Sequence, residues 1–230
     1  MLVLIAAAGS GRRMGTDRNK LLLPLMGKPI LRWTLDAILA CKDVSWIGLV
    51  GQRIDQVAIE TIIAMAKPDR PVAFIEGGET RQNSISRGLA LVPNKSRTIL
   101  IHDGARCLIE PDLVSYCVQA VQEDRSVIAA MPVVDTIKLA TSEGLIVSTP
   151  NRSELWAAQT PQGFSVNQLR KAHIKAIEKK WAVTDDASIY EHLGWPVSIV
   201  HGVPTNIKIT TQFDLAIAET VLKKRTESKQ

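Results

Sequence analysis

The residues best equipped for chemistry in this 230-residue chain follow its first apolar run: Ala6-Ala7-Ala8-Gly9-Ser10-Gly11-Arg12-Arg13-Met14, with Lys20 a few positions on. Alanine and glycine keep little bulk between backbone and ligand, so successive N–H groups can approach phosphate oxygens. Arg12, Arg13 and Lys20 add cations where a polyphosphate would lie. Two other phosphate loops fit poorly. The dinucleotide fingerprint needs a glycine where Met14 stands, and a helix opening inside the loop, whereas the helix signal here waits until Pro29. The Walker loop needs Gly-Lys followed by Ser or Thr, which is absent. A glycine turn with exposed arginines is the plainer alternative. Arg13, Met14 and Lys20 standing in one register favour a loop that holds a triphosphate.

Further segments carry polar residues at places where loops should fall. Gly77-Gly78-Glu79-Thr80-Arg81-Gln82-Asn83-Ser84 closes an apolar run and opens a helical one. Its N–H groups and Ser84 could read a base edge, and Thr80 could equally be an ordinary N-cap. His102-Asp103-Gly104-Ala105-Arg106 follows another apolar run, and there a carboxylate–Arg106 pair competes with a ligand site. Asp135-Thr136-Ile137-Lys138 and Asn151-Arg152-Ser153-Glu154-Leu155-Trp156 flank a hairpin signal. The planar fork of Arg152 suits a phosphate, with a surface ion pair to Glu154 as the alternative. Gln159-Thr160-Pro161-Gln162, Thr184-Asp185-Asp186-Ala187-Ser188 and Asn206-Ile207-Lys208-Ile209-Thr210 complete the set, with Thr184 equally a plain N-cap. His102, His173, His192 and His201 have no metal spacing and no Ser or Cys partner, and read as structural or surface residues.

The elements that must position these loops alternate. Strands are expected at Leu2 to Ala7, Trp46 to Val50, Val72 to Ile75, Thr98 to Ile101, Val127 to Met131 and Val197 to Val200. Helices are expected at Pro29 to Leu39, Gln56 to Ala66, Arg81 to Leu91, Pro111 to Gln122, Val166 to Lys179, Asp185 to Leu193 and Gln212 to Lys224. Repeated β–α alternation implies an α/β fold, a Rossmann-like, mostly parallel sheet with helices on both faces. Ligands in such sheets bind beyond the carboxyl ends of the strands, where the polar loops fall. The alternation breaks after Pro132. Ser142-Glu143-Gly144 between β-branched residues signals a β-hairpin, an edge extension or dimer arm over residues 135–155. No repeat or linker divides the chain, so residues 1–230 read as one domain.

Composition sets outer limits. Hydrophobic residues make up 46% of the chain and aromatic ones only 4%, so aliphatic side chains must build the core. Few rings, and motif cations in separate loops rather than one stripe, argue against a nucleic-acid partner. The net charge of +5 suits an anionic ligand without naming it, and part of it is the tail Lys223, Lys224, Arg225 and Lys229. No apolar stretch is long enough to span a membrane, and Met1 to Ala8 reads as a strand rather than a signal peptide. Cys41, Cys107 and Cys117 lack metal spacing and read as reduced thiols of a cytoplasmic protein, or of a plastid stromal one if a transit peptide has been removed.

Taken in order from Leu2 to about Leu222, these motifs make the chain resemble the 2-C-methyl-D-erythritol 4-phosphate cytidylyltransferases of isoprenoid precursor synthesis. The resemblance departs at Gly104, where the family usually has alanine. It implies a nucleotidyltransferase that moves CMP from CTP to methylerythritol 4-phosphate, with release of pyrophosphate. A cytidylyltransferase for ribitol 5-phosphate or a related polyol phosphate is the alternative. It implies catalytic roles for Arg13, Lys20, Arg152 and Lys208. CTP would be held by Ala7, Ala8, Gly9, Ser10, Gly11, Gly78, Glu79, Arg81, Ser84, Asp103, Gly104 and Ala105. The acceptor would meet Asp103, Arg106, Thr136 and Thr160. It also implies a homodimer in which Thr136 and Arg152 of one subunit reach the acceptor in the other. A divalent ion, Mg²⁺ or another of its kind, is expected, held mainly by CTP phosphates, with Asp103 the candidate protein ligand.

Overall fold

A computed structural model describes residues 1–9, 19–93, 96–123 and 125–227. Strands β1 (Leu2–Ala6), the short pair β2 (Pro24–Leu25) and β3 (Lys28–Pro29), β4 (Trp46–Gly51), β5 (Val72–Glu76), β6 (Thr98–Asp103) and β7 (Val127–Pro132) come first in the chain. The arm pair β8 (Leu139–Ala140) and β9 (Ile146–Ser148) follows, then β10 (Trp156–Ser165) and β11 (Ser198–His201). Helices are α1 (Ile30–Leu39), α2 (Gln56–Ala66), α3 (Arg81–Leu91), α4 (Pro111–Gln122), α5 (Val166–Glu178), α6 (Asp186–His192) and α7 (Gln212–Glu227).

Seven strands form one sheet in the order β11-β7-β10-β6-β1-β4-β5. The residues of β1 show why it lies at the centre. Val3 and Ile5 face one hydrophobic layer, Leu2 and Leu4 the other, and apolar residues on both sides of the pleat are what a doubly covered strand requires. The first layer packs α1, α2, α4 and α7 through side chains such as Leu35, Ile59, Val114 and Leu222. The second packs α3, α5 and α6 through Ile85, Leu169 and Ile189. Helix α3 lies close on the sheet because Gly88 has no side chain: a Cβ there would stand 2.9 Å from Leu4. None of the helices described is long and apolar enough to cross a membrane.

One strand departs from the expected pattern. β10 runs antiparallel to both β6 and β7 in the middle of an otherwise parallel main sheet. Its proline and its polar run Gln159-Thr160-Pro161-Gln162 speak against a central strand, because proline cannot donate to a ladder. The structure resolves the conflict with a break in register. Pairing with β7 runs to Ala158↔Ala130 and resumes at Gln162↔Ile128, while pairing with β6 begins only at Gln162↔Ile101. Gln159, Thr160 and Pro161 thereby leave the ladder, and the missing N–H of Pro161 costs nothing. A second correction concerns α6. Its N-cap is Asp185, whose Oδ1 accepts the Ser188 N–H at 3.0 Å, rather than Thr184.

The hairpin at 142–144 forms as expected, with Gly144 at φ +86° and the Thr141 N–H donating to the Leu145 carbonyl at 2.9 Å. It stands off the main sheet as its own two-stranded pair, with Leu145, Ile146 and Val147 exposed.

Candidate active site

A cleft of about 470 Å³ opens over the carboxyl ends of β1, β4, β5 and β6. Ala8 and Gly9 form its wall after β1, and Gln52 after β4. Gly78, Glu79, Thr80, Arg81 and Ser84 line it where β5 passes into α3. Asp103 and Ala105 form the floor at the end of β6, and Lys20 and Lys208 come in from two further loops.

Each cation is held by the local fold. Lys20 opens a short 3-10 turn capped by Asn19, whose Oδ1 accepts the Leu21 N–H at 3.1 Å. The Asn19 amide donates to the Ala7 carbonyl (2.9 Å) and to Asp55 Oδ2 (2.8 Å), which ties the returning end of the glycine loop to its start. Lys20 is only 9% exposed, and its Nζ donates to the Ile209 carbonyl at 2.6 Å. Arg81 begins α3, where Thr80 caps the helix by accepting the Asn83 N–H. Its Nη1 lies 2.8 Å from Asp186 Oδ2 and its Nε 3.6 Å from Asp103 Oδ1. Lys208 Nζ lies 2.8 Å from Asp103 Oδ2, and Arg106 Nε 3.7 Å from the same oxygen.

Asp103 is thus a single carboxylate among three cations. Burial alone would raise its pKa, but attraction to Lys208, Arg81 and Arg106 outweighs that and holds it at about 2. Burial opposes the charge of Arg81 as well, yet Asp186 and Asp103 raise its pKa further. Asp186 is 1% exposed, and its carboxyl stays below the usual range: burial pushes it up, and Arg81 with the His173 hydrogen bond (2.9 Å) pulls it down more. His102 is fully buried, and burial lowers its pKa to about 4, so the ring is neutral at neutral pH.

Some expected site residues have polar groups taken up within the fold, and of these Ala7, Gly104, Arg106 and Thr160 stand behind the cleft rather than in it. The Ala7 N–H donates to the Val50 carbonyl, and the Gly104 N–H to the Ala6 carbonyl, so both are taken up within the fold. Ser84 Oγ accepts the Gly78 N–H (3.0 Å) and lies 2.8 Å from the Thr80 carbonyl, closing its own loop. Arg106 donates to the carbonyls of Asn206 (2.7 Å) and Ala158 (3.2 Å) beneath Asp103. Thr160 is 4% exposed and bonds Asp103 N and His102 Nδ1. Thr136 and Arg152 lie on the exposed arm, away from this cleft. Arg152 donates to the Val134 carbonyl, and Glu154 is bonded by Asn151 instead of Arg152. Ser10, Gly11 and Arg13 fall outside the described residues. The four histidines take structural places: His173 on Asp186, His192 stacked on Trp181, His201 edge-on to Trp156 and His102 in the floor.

Sequence reasoning missed Gln52, which donates to the Ala8 carbonyl at 2.9 Å, and the Asn19–Asp55 tie, since neither lies in a recognisable motif. It named Asp186 only within the polar segment Thr184-Asp185-Asp186-Ala187-Ser188, with no role of its own. No local pattern reports that Asp186 anchors Arg81 from more than a hundred positions away.

A doubly wound sheet with a cation-lined, nucleotide-sized cleft at its strand ends defines an α/β enzyme of the nucleotidyltransferase type. The comparisons with known proteins sharpen this. The model of the family described as 2-C-methyl-D-erythritol 4-phosphate cytidylyltransferase (IspD) matches residues 1–224. Proteins of that name from Parasynechococcus marenigrum strain WH8102 and Synechococcus sp. strain CC9902 are 58% and 56% identical to it. They cover 96% and 98% of the chain, and 97% and 99% of their own lengths are matched. Among solved structures, 4-diphosphocytidyl-2C-methyl-D-erythritol synthase from Anaerococcus prevotii superposes with a TM-score of 0.86 at 31% identity, over 96% of this chain and 97% of that one. The 2-C-methyl-D-erythritol 4-phosphate cytidylyltransferase of Thermus thermophilus gives 0.77 at 31% identity, over 96% and 98%. The chain belongs to the 2-C-methyl-D-erythritol 4-phosphate cytidylyltransferase family.

Proposed function

We propose that Lys20, Arg81, Asp103 and Lys208 form the centre at which this enzyme transfers CMP from CTP to 2-C-methyl-D-erythritol 4-phosphate, giving 4-diphosphocytidyl-2-C-methyl-D-erythritol and pyrophosphate. The observation that carries this assignment is the convergence of three cations on one cleft whose floor holds a single ionised carboxylate. An oxygen of the acceptor phosphate attacks the α-phosphorus of CTP, and the bond to the bridging oxygen of pyrophosphate breaks. The nucleophile is already an anion, so the reaction needs no strong base and no covalent enzyme intermediate. The protein must bring two anions together and stabilise the charge that builds on the phosphoryl oxygens and the leaving group.

Lys20, held where the glycine loop returns, is placed for the triphosphate, and Arg13 from the same loop is assigned the same task on sequence grounds. Ala8, Gly9, Gly78, Glu79, Arg81, Ser84 and Ala105 surround the nucleotide. Lys208, set beside Asp103, faces the acceptor phosphate. Arg106 and Thr160 act on the acceptor through the floor they build under Asp103.

The site fits a Mg²⁺ ion at one point. Such an ion takes one or two carboxylates and fills its remaining positions with phosphate oxygens and water. Among the described residues no group of three or more His, Cys, Asp or Glu could hold a metal, but the ionised Asp103 would supply one oxygen. The ion would neutralise triphosphate charge. The arm supports a homodimer: its exposed Leu145, Ile146 and Val147 need cover, and docking on a second copy would carry Thr136 and Arg152 to that copy's acceptor.

Pyrophosphate release with CTP, Mg²⁺ and methylerythritol 4-phosphate tests the proposal, with ribitol 5-phosphate and UTP in parallel. Turnover confined to CTP with methylerythritol 4-phosphate supports it. Turnover with ribitol 5-phosphate instead overturns the acceptor and keeps the mechanism.

A further inference from the structure

The break in β10 leaves the end of β6, paired to β1 on its other side, without a backbone partner on the β10 side, and a side-chain relay fills the gap. Continuing the register Gln162↔Ile101 would set Thr160 opposite Asp103, but pairing stops before that point. The Asp103 N–H donates instead to Thr160 Oγ at 3.0 Å. Thr160 Oγ lies 3.0 Å from His102 Nδ1, and His102 Nε2 lies 3.3 Å from the Arg106 carbonyl. Proton accounting fixes the directions. A carbonyl only accepts, so Nε2 carries the ring hydrogen of the neutral imidazole. Nδ1 is then an acceptor, and Thr160 donates to it.

The same break anchors the other half of the ion pair. The Asn206 amide donates to the Thr160 carbonyl (2.8 Å) and to Gln159 Oε1 (3.0 Å), which docks the segment carrying Lys208 onto β10. Asp103 and Lys208 therefore owe their 2.8 Å separation to one buried network.

We infer that His102 is a positioning residue for nucleotidyl transfer: by accepting from Thr160 and donating to the Arg106 carbonyl, it fixes the backbone of Asp103 and hence the floor on which Lys208 and the substrates are set. His102 is fully buried and touches no cleft space. Its effect on the reaction passes through Asp103. A floor displaced by about 1 Å can cost about 10²-fold in rate. The inference rests on the cytidylyl-transfer reading, and wild-type turnover in the same assay separates failure of that reading from failure of this one.

The test compares His102→Leu, which keeps bulk and loses both hydrogen bonds, with His102→Asn, whose amide oxygen can still accept from Thr160. His102→Leu is expected to lose about 10²-fold in kcat with CTP KM changed less than about threefold, and His102→Asn to recover most of kcat. Thr160→Val should match His102→Leu, and the double variant should be no worse than either single one, because the two act as a unit. Ring ¹⁵N shifts of the wild-type protein should show His102 as the neutral Nε2–H tautomer, a readout independent of turnover. Folded His102→Leu and Thr160→Val proteins with unchanged kcat would overturn the inference, as would strictly additive losses or the Nδ1–H tautomer. If His102→Leu does not fold, Thr160→Val against Thr160→Ser puts the same question at the other end of the relay.

Discussion

Replacing Asp103 by asparagine keeps the shape of the cleft floor and removes its charge. Lys208, Arg81 and Arg106 then face one another without the carboxylate they converge on, at 2.8, 3.6 and 3.7 Å in the native site. The carboxyl titrates at about 2 in the fold against an ordinary 3.8, so its ionised form stabilises the folded state by about 2 kcal/mol. The pKa is lowered by folding, so this stability is present in full above the unfolded value and is lost as pH falls from about 4 through about 2. Asp103→Asn should therefore unfold in urea with about 2 kcal/mol less stability near neutral pH, with roughly half that deficit near pH 3, and with an unchanged denaturant slope. In a chain of this size that deficit lowers Tm by about 5 °C. Turnover should fall as well, since Lys208 loses the partner that sets its position. A deficit of the same size at both pH values, or none near neutrality, would show that the cations are not stabilised through the charge of Asp103.

Four further outcomes are expected. Lys20→Ala should lower kcat by roughly 10²–10³-fold while CTP affinity falls less than about tenfold, measured by steady-state kinetics and calorimetry. In the proposed dimer, mixing Lys20→Ala with Arg152→Ala subunits should restore about a quarter of wild-type activity after subunit exchange, since half the dimers would be hybrids with one intact site each. Gly104→Ala should cost about 1 kcal/mol in thermal unfolding, because its Cβ would stand 2.9 Å from Leu21 Cδ1 and 3.0 Å from the Ala6 carbonyl. Cys107 and Cys117 are buried, and burial pushes both thiols up to about 12, so a disulfide reagent near neutral pH should label them only after unfolding.

Much of the frame is legible in the sequence because its signals are local. The helices Gln56–Ala66, Arg81–Leu91 and Pro111–Gln122 fall on their expected bounds, marked by apolar periodicity and, at the last two, by Thr80 and Pro111. β10 is not legible there. Its right to a central place depends on a break in register and on side chains from β6 and the 206 loop, which no window of the sequence contains. The same reason hides Asp186. Read along the chain it is the second acid of a cap, and read in space it is the anchor of Arg81. Gly104 shows the converse: the sequence marks a missing methyl, and the structure shows Leu21 and the Ala6 carbonyl closed in around the place it would occupy.

The central claim is that an acceptor phosphate oxygen attacks the α-phosphorus of CTP in this cleft. ³¹P NMR of a reaction with CTP, Mg²⁺ and methylerythritol 4-phosphate carrying ¹⁸O in its phosphate group tests this directly. The expected products are a mixed diphosphate with the label in its bridge and pyrophosphate free of label. Label in pyrophosphate, CTP hydrolysed to free CMP, or CTP left unconsumed would contradict it.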